Sequence, residues 1–271
     1  MSMAVTTRPD TTERRTSAPG TPLLECTGIS KRFGAVEALV DVDFEVYPGE
    51  VVALVGDNGA GKSTLIKAIA GTQPADSGRF RFEGRAVSIR KPSDANRLGI
   101  ETVYQDLALC DNLDTVANLF LGRELGRPGR APGAMKVLSE FEMEERAADR
   151  MRELQVTTID SLRDRVGSLS GGQRQAVAVA RATLWDAKLL ILDEPTAALG
   201  VSQTGQVLDL IRRLRAQGLG IVVITHNIDV VFEVADRIVV LYMGRRTATF
   251  DQRETTPREV VSAIVGLGEE L

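Results

Sequence analysis

Residues 56–64, Gly56-Asp57-Asn58-Gly59-Ala60-Gly61-Lys62-Ser63-Thr64, carry glycines, one lysine and two hydroxyls at the spacing that cradles a phosphate. Gly56, Gly59 and Gly61 lack side chains, so backbone N–H groups can turn inward around phosphate oxygens. Lys62 supplies a full charge to β- and γ-phosphates, and the Ser63 hydroxyl can ligate Mg²⁺. A Gly-rich turn with a chance lysine is the bland alternative. The neighbouring sequence decides against it. The apolar run Val51-Val52-Ala53-Leu54-Val55 before the loop reads as a buried parallel strand. Thr64 to Ala70 after it reads as a helix that stops near Gly71. A loop between strand and helix also gains the positive helix N-terminus. These features predict binding of ATP with Mg²⁺.

Two further groups of residues have the chemistry to act on that nucleotide. Leu189-Leu190-Ile191-Leu192-Asp193-Glu194-Pro195 is a short apolar strand ending in two acids. Open α/β sheets bind ligands at this C-terminal edge. Asp193 is placed to hold Mg²⁺, and Glu194 to polarise the attacking water. The alternative is two solvated acids at a strand end. His226, the only histidine in the chain, follows the apolar run Ile221-Val222-Val223-Ile224-Thr225. Its place at the same edge favours a γ-phosphate contact over a purely structural role. Gln105 is read as ending a strand over residues 100–105 and could touch Mg²⁺ or the water, although glutamine at a strand end is by itself a weak sign.

Phosphoryl transfer needs positioning and charge neutralisation more than covalent chemistry. Lys62, Mg²⁺, Glu194 and His226 leave the far side of the γ-phosphate open. Residues 168–173, Ser-Leu-Ser-Gly-Gly-Gln, can close it from a second copy. A Ser170 hydroxyl, the N–H groups of Gly171 and Gly172, and the helix start that includes Gln173 form an anion site. Without a partner the same residues are only a flexible turn.

The elements that position these groups show in the hydrophobic pattern. Leu24 to Cys26, Val40 to Val46 and Arg79 to Glu83 alternate as strands of one small antiparallel sheet. Residues 106–187 read as mostly helical, with Met143, Ala147, Met151 and Leu154 on one helix face. Within this section residues 122–134, with four glycines, two prolines and three arginines, read as a mobile loop. Leu189 to Leu192, Ile221 to Ile224 and Ile238 to Leu241 are buried strands, and Val207, Leu210, Ile211 and Leu214 mark a helix. Strand–helix alternation predicts a parallel α/β core. Residues 1–22 read as a disordered tail.

Composition narrows the class. A chain of 271 residues with 26% charged and 43% hydrophobic residues is ordinary for a soluble globular protein. The formal net charge of −4 gives no support for nucleic-acid binding, so no nucleic-acid partner is expected. Cys26 and Cys110 form no C-x-x-C pair and fit a reduced cytosolic setting as small apolar fillers. No apolar run of 18 or more residues exists, and the N-terminus lacks a secretory apolar segment. A link to a membrane must therefore come through a partner.

Taken in order, Gly56–Ser63, Gln105, Leu169-Ser170-Gly171-Gly172-Gln173, Leu189–Asp193, Glu194 and His226 resemble the ATP-binding cassette (ABC) family over roughly residues 23–265. The resemblance implies a P-loop NTPase nucleotide-binding domain with a RecA-like parallel core, an antiparallel β subdomain and an α-helical subdomain (about residues 106–187), followed by a C-terminal tail at 266–271. It implies that Phe33 stacks on adenine; a buried core phenylalanine is the competing reading. Lys31 to Leu39, Val103 to Leu107, Asn118 to Gly122, Pro195 to Val201 and Ala235 to Leu241 resemble the ATPases of monosaccharide importers, of the ribose, xylose and fructose type. That implies an ATP hydrolase in a head-to-tail homodimer on the cytoplasmic face of the plasma membrane. Its other partners would be membrane permease subunits and, indirectly, an extracytoplasmic sugar-binding protein. Most of the family has Asp where this chain has Gly200, which bears on coupling between the two sites. A cassette for another cargo, or a non-transport cassette, remains the alternative, and the cargo is not written in this chain.

Overall fold

The computed structural model describes residues 20–127 and 137–267. The expected tail, apart from residues 20–22, and most of the 122–134 loop lie outside them. In chain order the first elements are β1 (Leu24–Phe33), β2 (Val36–Val46), β3 (Val51–Val55), α1 (Lys62–Ile69), β4 (Ser77–Phe82), β5 (Arg85–Val87), α2 (Pro92–Leu98) and β6 (Ile100–Val103). The middle of the chain holds α3 (Thr115–Phe120), β7 (Gly126–Arg127), β8 (Val137–Leu138), α4 (Glu140–Glu153) and α5 (Gly171–Thr183). Then follow β9 (Leu189–Asp193), α6 (Val201–Ala216), β10 (Gly220–Ile224), α7 (Ile228–Val234), β11 (Arg237–Tyr242), β12 (Arg245–Asp251) and α8 (Pro257–Ile264).

The central sheet has the order β12-β11-β3-β10-β9-β6. All its neighbours pair in parallel except β11 with β12. Parallel strands covered on both faces read as unbroken apolar runs, and β3, β9 and β10 are such runs. Alternate side chains serve opposite faces. Val51, Leu190, Leu192, Ile221 and Val223 pack with Val177 of α5 and Leu208 and Ile211 of α6. Val52, Leu54, Leu189, Ile191 and Val222 pack instead with Leu65, Ile66 and Ile69 of α1. Each of these three α1 side chains contributes about 1.5–3 kcal/mol when fully buried.

A second sheet, β2-β1-β4-β5, is antiparallel and joins the three segments whose alternation predicted it. Leu24 pairs with Val46 on one side and with Phe82 on the other. Val42, Phe44 and Val46 face the core, while Asp43 and Glu45 lie on the opposite face. The sheet shares its core with α1, so it braces the phosphate loop from below.

Three corrections to the sequence reading follow. The strand expected over 100–105 stops at Val103, because Leu107 N donates to Tyr104 O at 2.9 Å and closes a turn through Gln105. The section expected to be helical from Asp106 has no helix until Thr115; its described α-helices are α3, α4 and α5, with one 3-10 turn at Val166–Ser168. Strand β12 and helices α2, α7 and α8 were not read from the pattern. They are short or half-exposed, and β12 alternates only weakly.

Candidate active site at the sheet's C-terminal edge

The strand order places four loops side by side. β3 runs into Gly56–Thr64, β10 into Thr225 and His226, β9 into Glu194, and β6 into Gln105. The register aligns Leu54 with Ile224 and Ile224 with Asp193, so the ends of three strands are level.

Two glycines in the phosphate loop have no substitute. Gly56 has φ 150°, and a Cβ there would stand 2.2 Å from the Leu241 carbonyl oxygen. Gly61 has φ 104°, and a Cβ would stand 2.7 Å from the Ala38 carbonyl oxygen. The loop is thus pressed between β11 and β2, and Gly244 N also donates to Ala60 O at 3.0 Å. Helix α1 begins directly after Gly61 with no side-chain cap. Its first N–H groups therefore have no intrahelical partner, which suits an anion. The Lys62 ammonium donates to the carbonyls of Gly56 at 2.6 Å and Asp57 at 2.9 Å. Burial lowers its pKa below the usual lysine value, against the charges of Glu194, Asp57 and Asp193. The site also holds Asp193 above the usual carboxylate range, through burial first and the Glu194 charge second, against Lys62 and Lys67. A carboxylate in that position gains from a cation.

Glu194 stands at φ 50°, a left-handed conformation that a glutamate rarely adopts. Its N–H donates to Ile224 O at 2.9 Å, which ties the turn after β9 to the end of β10. Its carboxylate accepts from the Thr225 hydroxyl at 3.3 Å and lies 2.8 Å from Nδ1 of His226. Asn227 N donates in turn to the Thr225 hydroxyl at 3.1 Å. Thr225 is a buried polar residue that the sequence reading passed over. Its signal was a hydroxyl closing an otherwise apolar strand.

The remaining candidates divide in two. Phe33 sits where β1 turns into β2, 44% exposed, with the Lys31 ammonium 5.6 Å from its ring centre. This excludes the buried-core reading. Ser170 is the N-cap of α5. Its N–H donates to the Gln173 carboxamide oxygen at 2.8 Å, and its hydroxyl accepts from Gln173 N at 3.4 Å. Gln173 also donates to the Thr158 carbonyl. A Cβ on Gly171 would stand 2.8 Å from Leu199, and one on Gly172 would stand 3.1 Å from Gln203. The start of α5 thus packs closely on Leu199 and on Gln203 of α6, with little room for a side chain at either glycine, a contact the motif alone did not reveal. The partners of Ser170 lie within its own helix start, away from Lys62, Asp193 and Glu194. A cavity of about 460 Å³ lies at the opposite, N-terminal edge of the sheet, lined by Leu23, Arg150, Lys188 and Leu219 among others. No phosphate-loop residue lines it, so the chemistry points to the open C-terminal edge instead.

A phosphate loop on β3, two acids on β9 and a histidine on β10 define a P-loop ATPase of the doubly wound α/β class. Residues 39–197 match the family described as ABC transporter. The chain is 47% identical to the fructose import ATP-binding protein FrcA of Rhizobium meliloti over 92% of this chain and 95% of that one. It is also 47% identical to the xylose/arabinose import ATP-binding protein XylG of Sulfolobus acidocaldarius, over 91% and 98%. A ribose import ATP-binding protein of Rubrobacter xylanophilus is 40% identical, and this chain spans about half of its length (52%). A solved ATP-binding cassette of an ABC transporter superposes with a TM-score of 0.77 at 28% identity, covering 91% of this chain and 98% of that one. The chain belongs to the ABC transporter family, as an ATPase subunit.

Proposed function

We propose that this chain powers import of a monosaccharide by binding and hydrolysing ATP as a homodimer beneath a membrane permease. The observation that carries the hydrolytic part is the Glu194–His226–Thr225 cluster beside Lys62, level with the phosphate loop. The sugar is supported by the fructose, xylose/arabinose and ribose import relatives. Residues 23–265 act as one nucleotide-binding domain, with a helical section near 106–187. Among the described residues no helix is long and apolar enough to cross a membrane. The chain then works peripherally at the cytoplasmic face, with a sugar-binding protein feeding the permease from outside.

In this reading Phe33 takes the adenine, and Gly56, Asp57, Asn58, Gly59, Ala60, Gly61, Lys62, Ser63 and Thr64 wrap the phosphates. Lys62 exchanges the Gly56 and Asp57 carbonyls for phosphate oxygens. Among the described residues no group of three His, Cys, Asp or Glu could hold a metal on its own. One buried carboxylate, Asp193, with the Ser63 hydroxyl and the Gln105 carboxamide nevertheless fits Mg²⁺, which relies on one or two carboxylates and substrate phosphates. Those three residues would hold the ion, which neutralises phosphate charge when bound. Glu194 takes a proton from water as its oxygen attacks the γ-phosphorus and the bond to the β–γ bridging oxygen breaks. His226 contacts the γ-phosphate and reports its loss. Ser170, Gly171, Gly172 and Gln173 of the second copy cover the open side, so ATP closes the dimer and hydrolysis lets it open.

The test is uptake of labelled monosaccharides by cells lacking the protein, complemented with wild type or with Glu194→Gln. Loss of one sugar restored only by wild type supports the proposal and identifies the cargo. Unchanged uptake of every sugar overturns the sugar assignment.

A further inference from the structure

The turn that follows Gln105 is built from two successive left-handed residues, Leu107 (φ 57°) and Ala108 (φ 46°), neither of them glycine. Each conformation is disfavoured for an L-residue, and such residues persist only where the surroundings hold them. Two backbone bonds shape the turn: Leu107 N to Tyr104 O at 2.9 Å and Ala108 N to Asp106 O at 2.7 Å. A residue far along the chain clamps it. One terminal nitrogen of the Arg181 guanidinium donates to Ala108 O at 2.6 Å and the other to Leu107 O at 2.9 Å. Among the described residues no carboxylate forms an ion pair with Arg181, so its charge is directed at these two carbonyls. Such charge-assisted, two-pronged bonding is the strong form of a hydrogen bond, and a planar fork makes it where a lysine cannot.

We infer that Arg181 is a positioning residue: it latches the left-handed Leu107–Ala108 turn and thereby sets where Gln105 stands in the nucleotide site. The inference rests on the role proposed above for Gln105. It also gives α5 a second task. Ser170 caps the start of this helix, and Arg181 lies ten positions after Gly171, about 15 Å along a rigid rod. Valines 177 and 179 bury that rod in the core. A displacement of the Ser170 end of α5, which would cover the partner's nucleotide, is therefore carried to Gln105 of the same subunit through one side chain.

Steady-state ATPase kinetics of the full chain with Mg-ATP test this. Arg181→Ala is expected to lower kcat about tenfold with KM for ATP within about twofold, and Arg181→Lys to fall between it and wild type. Gln105→Ala should lower kcat similarly. The double variant should be no slower than the slower single, because Arg181 acts through Gln105. Ala108→Gly alone should stay within about twofold of wild type, and in the Arg181→Ala background it should recover about threefold, since glycine takes this conformation freely. Wild-type kcat in Arg181→Ala, a multiplicative loss in the double variant, or no recovery by Ala108→Gly overturns the latch. If Gln105→Ala itself keeps wild-type kcat, the role of Gln105 falls first, and the latch with it. If Gln105→Ala is slow and Arg181→Ala is not, the latch alone falls. Should Arg181→Ala not fold, Arg181→Lys with and without Ala108→Gly is read the same way.

Discussion

Nδ1 of His226 stands 2.8 Å from Oε1 of Glu194, across the gap between two adjacent parallel strands. Glu194 is largely shielded, with its side chain 17% exposed, while His226 is 82% exposed. The histidine thus reaches outward from a carboxylate that is already anchored by Thr225. Glu194→Gln preserves shape and the Thr225 contact but removes the basic oxygen. ATP affinity should stay within about threefold and phosphate release should fall by about 10²–10⁴, the usual range for a lost general base. Equilibrium nucleotide binding and single-turnover phosphate release, measured on the same preparation, check it. Rapid turnover in this variant would remove Glu194 from the chemistry.

Lys62→Ala acts on binding instead. The Lys62 ammonium donates to two loop carbonyls, so its loss costs the fold little beyond those two bonds. Charged hydrogen bonds of this kind contribute about 1.5–3 kcal/mol, so the dissociation constant for ATP should rise about 10–100-fold. Calorimetric titration reads the change directly, and unchanged affinity would count against the loop's assignment.

Gly200 is not a conformational necessity. It sits at φ −72° as the N-cap of α6, and a Cβ there would meet nothing within 4 Å. Gly200→Asp should therefore fold normally and stabilise the helix start by a few tenths of a kcal/mol, since Asp is a better N-cap than Gly. The melting temperature should rise by about 1 °C. A fall of several degrees would show that the open space is an illusion. The ATP dependence of hydrolysis in this variant then reports whether the two sites couple more strongly.

Arg237 fastens β11 to the corner between β2 and β3. Its guanidinium donates to both Glu50 carboxylate oxygens, at 2.7 and 3.0 Å, and to the Glu45 carbonyl at 2.8 Å. The side chain is only 18% exposed, so truncation leaves the Glu50 carboxylate without a cation in a mostly dry setting, held by the Tyr47 N–H at 2.8 Å. Arg237→Ala should cost about 3 kcal/mol, judged from buried pairs with one member removed. Urea unfolding measures this, with a lower midpoint and an unchanged slope.

The two thiols should differ sharply. Cys26 is fully buried in the antiparallel sheet, and burial, reinforced by Asp43 and Glu25, pushes its pKa far above the usual thiol range. Cys110 is only half-buried. A maleimide at neutral pH should leave Cys26 unmodified in the native protein and label both residues once the chain is unfolded. Mass mapping of Cys26 in the native sample decides it.

Much of this protein is local enough to be read from the chain. The phosphate loop, the apolar strands β3, β9 and β10, and the helix start at Ser170 each depend on residues a few positions apart. Glycine spacing, hydrophobic period and capping residues therefore announced them. The end of β6 was misread because Gln105 lies in a turn that left-handed Leu107 and Ala108 bend away from the strand, and left-handed backbone without glycine leaves no mark in the pattern.

The sequence by itself picked out the groups with the chemistry for this site: Lys62 in the loop after one apolar strand, Asp193 and Glu194 together at the end of a second, and His226 after a third. Only the tertiary structure decided that β3, β10 and β9 lie next to one another, that Thr225 anchors Glu194, and that Arg181 grips a turn more than 70 positions earlier. It also showed that Gly56 is small because the Leu241 carbonyl stands against it. The reason is one of range. Periodicity and propensity act over a turn of helix or a few strand residues. Strand order and side-chain latches are chosen by burying apolar surface and satisfying backbone groups across the whole folded chain.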